Sequence, residues 1–351
     1  MLLLLINSAA HLLVDALCAS TLFGALAGEE SFSVLILVYN TLAFSTQCLV
    51  GLAADRVRKH AVSSSAAMVT VILGFALPLP AALKVILIGA GNSVFHVASG
   101  TMTLEMSEGK AGPLGVFVAP GAIGLTLGTL FPQLGIYFAV LLFFAAILLP
   151  LVFRWKDEPG LRREIPSSVQ GKQKLNLLPV LLLTLAVAVR AIGGTAVSFP
   201  WNTTAITALA LTACVFAGKT AGGFIADRLG ARFTALISIP VAALLIAFAT
   251  KYMPPSLIGQ FALNLTMPVT LYLLFLAMPD QPGFAFGLAA SALWPGTIGG
   301  KMMTLSGGKL SLLVLISFLF GIGAILLSYS MLKLNHTSPT KEREEKANEN
   351  R

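Results

Sequence analysis

The chain has 351 residues, of which 56% are hydrophobic and 11% charged, with a net charge of +8 and a mean hydropathy of +0.87. An average soluble domain is roughly 25% charged, so a water-soluble fold of this length could not cover its surface, and a soluble enzyme is excluded. Disorder and coiled coil are excluded on the same grounds. What remains is an all-α polytopic membrane protein. A membrane-crossing helix takes about 20 apolar residues, so twelve take roughly 240 and leave only short connections.

The apolar runs predict spans at 2–27, 32–54, 61–79, 82–104, 112–131, 134–153, 175–199, 203–225, 233–250, 256–278, 284–300 and 310–332. The first lacks a basic n-region and carries His11 and Asp15, so it reads as a span and not as a signal peptide. One long loop, 154–174, divides the chain into halves of six spans, 1–153 and 175–334, and the polar tail 335–351 reads as disordered. With the N-terminus in the cytoplasm, 17 of the 23 Lys and Arg fall inside, which predicts a multi-pass cell-membrane protein with both termini cytoplasmic. Lys84, Lys251, Lys301 and Lys309 fall in the outer loops of that topology. The basic balance is therefore an orienting feature and no sign of a nucleic-acid partner. Cys18, Cys48 and Cys214 all lie in apolar runs, without the spacing of a metal site or a disulfide framework.

The chain also repeats itself. GLAADRVRKH at 51–60 matches GFIADRLGAR at 223–232, with Asp55 and Asp227 172 residues apart. The same spacing carries Asn92 onto Asn264 and Gln47 onto Lys219, and Pro120-Gly121-Gly124 recurs, slightly slipped, as Pro295-Gly296-Gly299. Two parallel six-helix repeats with a substrate site where they meet are a known transporter plan. On these residues the chain resembles the major facilitator superfamily. Gly51, Asp55 and Arg56 carry the resemblance in the first half, and Gly223, Asp227, Arg228, Gly230 and Arg232 in the second. The second copy fits the pattern G-x-L-a-D-r-x-G-r-K well. The first departs from it, with Arg58 in the glycine place and His60 at the basic end. HLLVD and GNSVFHVASG look like the fosmidomycin-resistance branch of efflux carriers, where proline follows Phe-His and Val97 stands here. The resemblance implies a major facilitator fold, and the glycine-rich fifth span suggests an antiporter, with Ala119 in place of the usual glycine. The loop motif has its own physics: an aspartate at a helix end can pair with arginine and accept backbone N–H bonds from a facing helix. It is either a state-dependent cytoplasmic latch, Asp55 with Arg56 and Asp227 with Arg228, or a plain charged loop.

Ionisable groups inside a span are expensive and mark function by default. Asp15 lies ~21 Å into the first span at 1.5 Å per residue, and Arg190 lies at a similar depth in the seventh. They predict a contact across the cavity that handles protons or substrate charge, a static ion pair, or separate exposure to a vestibule. His11 is one helical turn from Asp15 on the same face, which suits a proton relay. His96 with Asn92 one turn away, Asn264 and Thr266 in the tenth span, and Tyr39, Asn40 and Gln47 in the second are candidate cavity residues. They can hydrogen-bond a ligand or simply a neighbouring helix. Lys219 either snorkels to the cytoplasmic interface or anchors an anionic substrate. ACVFAGKT at 213–220 lacks the first glycine of a phosphate-binding loop and lies in a span, so nucleotide binding is rejected.

Together these readings predict a secondary transporter, not an enzyme, with no cofactor and no metal. It would be a monomer in the bilayer that exchanges a small molecule for protons, with efflux favoured. The alternatives are an uptake symporter for a small anion or siderophore, and a lipid-handling protein.

Overall fold

The computed structural model describes residues 1–154 and 177–332. Among them the chain forms twelve long helical segments: α1 Leu2–Ala25, α2 Phe32–Val57, α3 His60–Ala76, α4 Ala81–Met106, α5 Gly112–Leu130, α6 Gly135–Arg154, α7 Leu177–Thr195, α8 Ala205–Leu229, α9 Ala231–Phe248, α10 Met253–Ala277, α11 Pro282–Lys301 and α12 Gly307–Met331. Each expected span has its helix, with ends shifted by a few residues. Nearly all of the central loop and the whole tail lie outside the described residues. Large apolar side chains of α3, α6, α9 and α12, such as Leu73, Phe144, Leu244 and Leu319, are exposed, as a lipid-facing belt requires.

Local chemistry sets the helix ends and the irregularities. α3 stops at Ala76 because Leu77 is extended before Pro78. Lys84, expected in an outer loop, instead sits in α4 and donates to the Gly74, Phe75 and Leu77 carbonyls at 3.3, 3.0 and 2.6 Å, closing the orphan end of α3. α1 ends in a π-turn, Thr21–Ala25, and α2 contains another, Thr41–Ser45. Such turns disturb the backbone ladder and are frequent at functional sites. Around the second turn, Ser291 of α11 lies 3.1 Å from the Phe44 and Ser45 carbonyls and accepts from the Cys48 amide at 2.9 Å. α5 is broken at Ala119, immediately before Pro120.

Two apolar cores form separately. One, with Leu17, Met68, Phe95 and Leu142, belongs to α1–α6, and the other, with Leu183, Ile239, Val269 and Phe318, is built almost wholly from α7–α12. A third joins them: Leu104, Leu114 and Phe117 of α4 and α5 pack with Leu271, Phe275 and Phe286 of α10 and α11. It lies at the end of the bundle that carries Asp55 and Asp227, hereafter the motif end. The two groups of six meet mainly through α2 against α11 and α5 against α8. Glycines allow the close approach there: a Cβ on Gly51 would strike the Gly283 carbonyl, one on Gly287 the Gln47 carbonyl, and one on Gly115 the Lys219 carbonyl.

Close packing of this kind predicts a contrast between two glycines. A Cβ on Gly222 would fall on the Leu265 carbonyl, whereas Gly323 has open space around it. Gly222→Ala should cost ~1–3 kcal/mol by overpacking. Gly323→Ala should gain about 0.5–1 kcal/mol of helix propensity. Thermal unfolding in detergent should therefore shift down for the first and not for the second.

Candidate functional site

The site is built around α1. The spacing of His11 and Asp15 puts both on one helix face, and in the structure that face meets α4 and α5. His11 Nε2 lies 3.3 Å from Asp15 Oδ2, and His96 Nε2 of α4 lies 3.6 Å from Asp15 Oδ1. Asn92, one turn before His96, donates its Nδ2 to Asp15 Oδ1 at 3.0 Å. The two imidazoles meet directly, Nε2 to Nε2, at 2.8 Å.

The partners of the other ring nitrogens fix the protons. His11 Nδ1 lies 2.7 Å from the Phe117 carbonyl, and His96 Nδ1 lies 2.9 Å from the Asn92 carbonyl. A carbonyl only accepts, so each Nδ1 carries a hydrogen. With both Nδ1 atoms donating, the short Nε2 contact is what a single proton shared between the rings would give, a cationic pair that the Asp15 carboxylate would balance. His11, Asp15 and His96 each offer one ligand atom, all within 4.8 Å of one another, so the same three side chains are also within reach of a shared metal ion.

The site is tight. A Cβ on Gly121 would strike His11 Nε2 and lie 2.5 Å from Asp15 Oδ2, and one on Gly124 would strike the Leu12 carbonyl, so only glycine lets α5 lie this close to α1. The break at Pro120 also disturbs the α5 ladder just where two carbonyls find outside donors. Phe117 O takes His11, and Val118 O faces Lys219 Nζ of α8 at 3.5 Å. Lys219 therefore points into the interface between the two groups of six. It does not snorkel to the motif end.

The predicted pairing of Asp15 with Arg190 does not occur. Arg190 is buried in the second group of six, where Nε donates to Ala186 O at 3.2 Å, Nη1 to Thr266 Oγ1, and Nη2 to Thr270 Oγ1 at 2.9 Å. Its stem lies against Gly321 of α12. Each half thus solvates its own membrane-depth charge. Among the described residues no carboxylate pairs with Arg190.

The other expected cavity residues divide. Gln47 lies at the α2–α11 contact, with its Nε2 on Ala43 O at 2.7 Å. Asn40 and Asn264 spend their amides on their own helices, at Ile36 O and Gln260 O, both 2.8 Å. Tyr39 is buried in the first apolar core. Asn7, one turn from His11 toward the motif end, went unnoticed in the sequence. It is fully buried, and neither of its amide atoms has a protein partner.

At the motif end both aspartates act across the interface. Asp55 accepts from the Gly283 and Phe284 amides at the start of α11, at 2.7 and 2.8 Å. Asp227 accepts from the Ala111 and Gly112 amides at the start of α5, at the same two distances. Each caps a helix N-terminus of the other half, where orphan N–H groups and the helix dipole both favour an anion. The expected pairing with Arg56 and Arg228 is replaced by these backbone bonds. Both arginines lie exposed in the last turn of their helices, where a cation suits the dipole. Gly223 is required where α8 crosses Ala111. Gly230 takes φ 91° and ψ 147°, and Arg58, in the equivalent place, takes φ 53° and ψ 27°, so both copies turn at positive φ but through different backbone conformations. Arg232 is exposed, and His60 faces Glu105 of α4 at 3.8 Å. Above the latches, the Phe117–Phe286 contact, 6.0 Å between ring centroids, and its apolar neighbours seal the motif end.

No family model and no curated protein match the chain. Solved structures do. An asparagine-to-alanine variant of the Escherichia coli fucose:proton symporter FucP aligns with a TM-score of 0.61 at 13% identity, covering 96% of this chain and 99% of that one. A structure of FucP described as a major facilitator superfamily transporter in the outward conformation gives a TM-score of 0.65 at 13% identity, covering 93% and 98%. The chain has the major facilitator fold.

Hydrogen bonds to a charged group are each worth about 1.5–3 kcal/mol. Asp55→Asn and Asp227→Asn each leave an amide facing an N–H donor, and each should raise the motif-end-open population about tenfold or more. Because the two latches share one geometry, the two effects should be of similar size. Thiol labelling of a cysteine placed at Leu104, which is buried in the seal, measures this. Unchanged labelling in both variants would remove the latch role.

Proposed function

We propose that the chain is a secondary transporter working by alternating access, with the proton held by His11, Asp15 and His96 as its driving ion. The observation that carries this is the place of the cluster. A carboxylate and two imidazoles cluster at membrane depth, and one imidazole meets the carbonyl of Phe117, whose ring belongs to the seal between the halves. Residues 1–153 and 175–334 are the two rocking bodies. The latches and seal form the cytoplasmic gate, closed in this conformation, because the basic residues concentrate at that end. Both termini are then cytoplasmic, and the protein is a multi-pass monomer of the cell membrane.

For direction we favour efflux by proton antiport, on the Pro120-Gly121-Gly124 stretch of α5. A second reading, symport of a proton with a small anion, has its own support. Arg190 is a buried guanidinium with hydroxyl and carbonyl partners only, and an anion could displace Thr266 or Thr270 from it. FucP, similar in fold, is described as a fucose:proton symporter. His96 and Asn92 of the Asp15 centre, with Lys219 and Gln47 at the interface between the halves, complete the proposed substrate region.

The test is proton movement in proteoliposomes containing a pH dye, challenged with a library of small amphiphiles and carboxylates. Outward-directed amphiphile flux with inward proton flux supports antiport. Co-directional movement with a carboxylate supports symport. Asp15→Asn should abolish accumulation driven by an imposed pH gradient while substrate exchange continues. Undiminished accumulation in that variant would sink the proton site.

A further inference from the structure

We propose that Lys219 is the alternate counter-ion of Asp15, a cation from the opposite half that takes over the carboxylate when the histidine pair loses its proton. This rests on the proton-coupled reading above.

The groups around Asp15 limit the choice. On its own helix stand His11 and Cys18. From α4 come His96 and Asn92, from α2 Tyr39, and from α8 Lys219. The thiol and the phenol cannot supply positive charge. Once the shared proton leaves to water, both imidazoles are neutral, and Asp15 keeps one amide bond from Asn92. A buried carboxylate in that state is costly by several kcal/mol. Among the described residues, the other basic side chain that interacts with Asp15 electrostatically is Lys219, and the carboxylate favours its charged form.

Lys219 is placed to respond. Its Nζ makes one long contact, 3.5 Å to Val118 O, and the neighbouring carbonyl, Phe117 O, is the one that holds His11. An ammonium has three donors on a flexible stem, so two remain for Asp15. The backbone of Lys219 lies directly against Gly115 of α5, so the side chain starts at the interface itself. Lys219 already touches the first half at Val118 O, and moving Nζ to Asp15 replaces that long contact to a neutral carbonyl with an ion pair between the two halves. The protonated cluster balances its charges within the first half, and the deprotonated cluster strengthens the tie between the halves. Deprotonation then strengthens the motif-end-closed state, and protonation weakens it. The position equivalent to Lys219 in the first half is Gln47, whose amide is bound to its own helix, so the device is present once.

The experiment uses the full chain in lipid nanodiscs, with Cys48 and Cys214 changed to alanine and the buried Cys18 kept. Spin labels are placed on cysteines at Val62 and Phe233, which are exposed near the motif ends of α3 and α9. The inter-label distance distribution is followed from about pH 5 to about pH 9, on either side of the ordinary histidine range. The motif-end-closed population should rise severalfold with pH in the parent protein. Lys219→Met and Lys219→Gln should abolish that rise, and Lys219→Arg should keep it. A full rise in both Met and Gln variants would overturn the role of Lys219 and leave the proton site standing. A parent protein whose distribution ignores pH would overturn the proton-coupled reading and this inference with it.

Discussion

Asp15 occupies a place where a bare carboxylate would cost several kcal/mol, and much of the central architecture follows from neutralising it. The sequence supplies one cation-capable neighbour on the same helix, His11, and the fold brings the second, His96, from 81 residues further along. Neither imidazole is free to choose its tautomer, because each Nδ1 is committed to a carbonyl. With that commitment, a single proton shared between the rings would supply the charge the carboxylate needs. The proposed proton site would then be neutral as a unit and charged in its parts.

The second half solves the same problem with the opposite sign. Arg190 is solvated by Thr266 and Thr270 of α10, as Asp15 is by Asn92 and His96 of α4. At the 172-residue spacing, His96 falls on Pro268 and Asn92 on Asn264. The repeat has therefore kept the helix pairing, first with fourth and seventh with tenth, and changed the chemistry placed on it. The latches behave in the opposite way. Asp55 and Asp227 make the same two bonds to equivalent amides, and even Arg58 adopts a backbone angle that the family pattern assigns to glycine. The gate is duplicated and the charge centres are differentiated, as expected if the gate must close symmetrically while only one half binds the coupling ion.

The fold was legible because its signals are additive over many residues: apolar run length, the single polar loop and the doubled G-x-x-A-D-R. Asp15, His11 and Asp227 were legible one by one, since an ionisable group in a span or at its end stands out. Their partners were not. Asp15 and Arg190 share a depth, and depth alone cannot say that each turns into its own half. The capping of α5 and α11 by aspartates leaves no mark at Ala111, Gly112, Gly283 or Phe284, because backbone amides are common to every residue but proline. The seal of Leu104, Leu114, Phe275 and Phe286 was hidden for a simpler reason: in a chain this apolar, a gate built of apolar side chains has no contrast with its surroundings.

α5 is the segment on which these elements converge. Its first amides are held by Asp227 of the other half. A turn and a half later, Phe117 contributes its ring to the seal and its carbonyl to His11. Val118 offers the next carbonyl to Lys219, and Gly121, Gly124 and Gly128 let the rest of the helix lie against α1. An unbroken helix would hold its carbonyls within its own ladder. Pro120 has no N–H to offer Val116 O, and the helix is irregular at Ala119. Beside that irregularity the histidine of α1 meets one carbonyl, the opposite half the next, and the Asp227 carboxylate the helix end. A helix carrying all three contacts cannot shift against the other half without disturbing the His11–Asp15–His96 cluster, and the proposed coupling would work through that constraint.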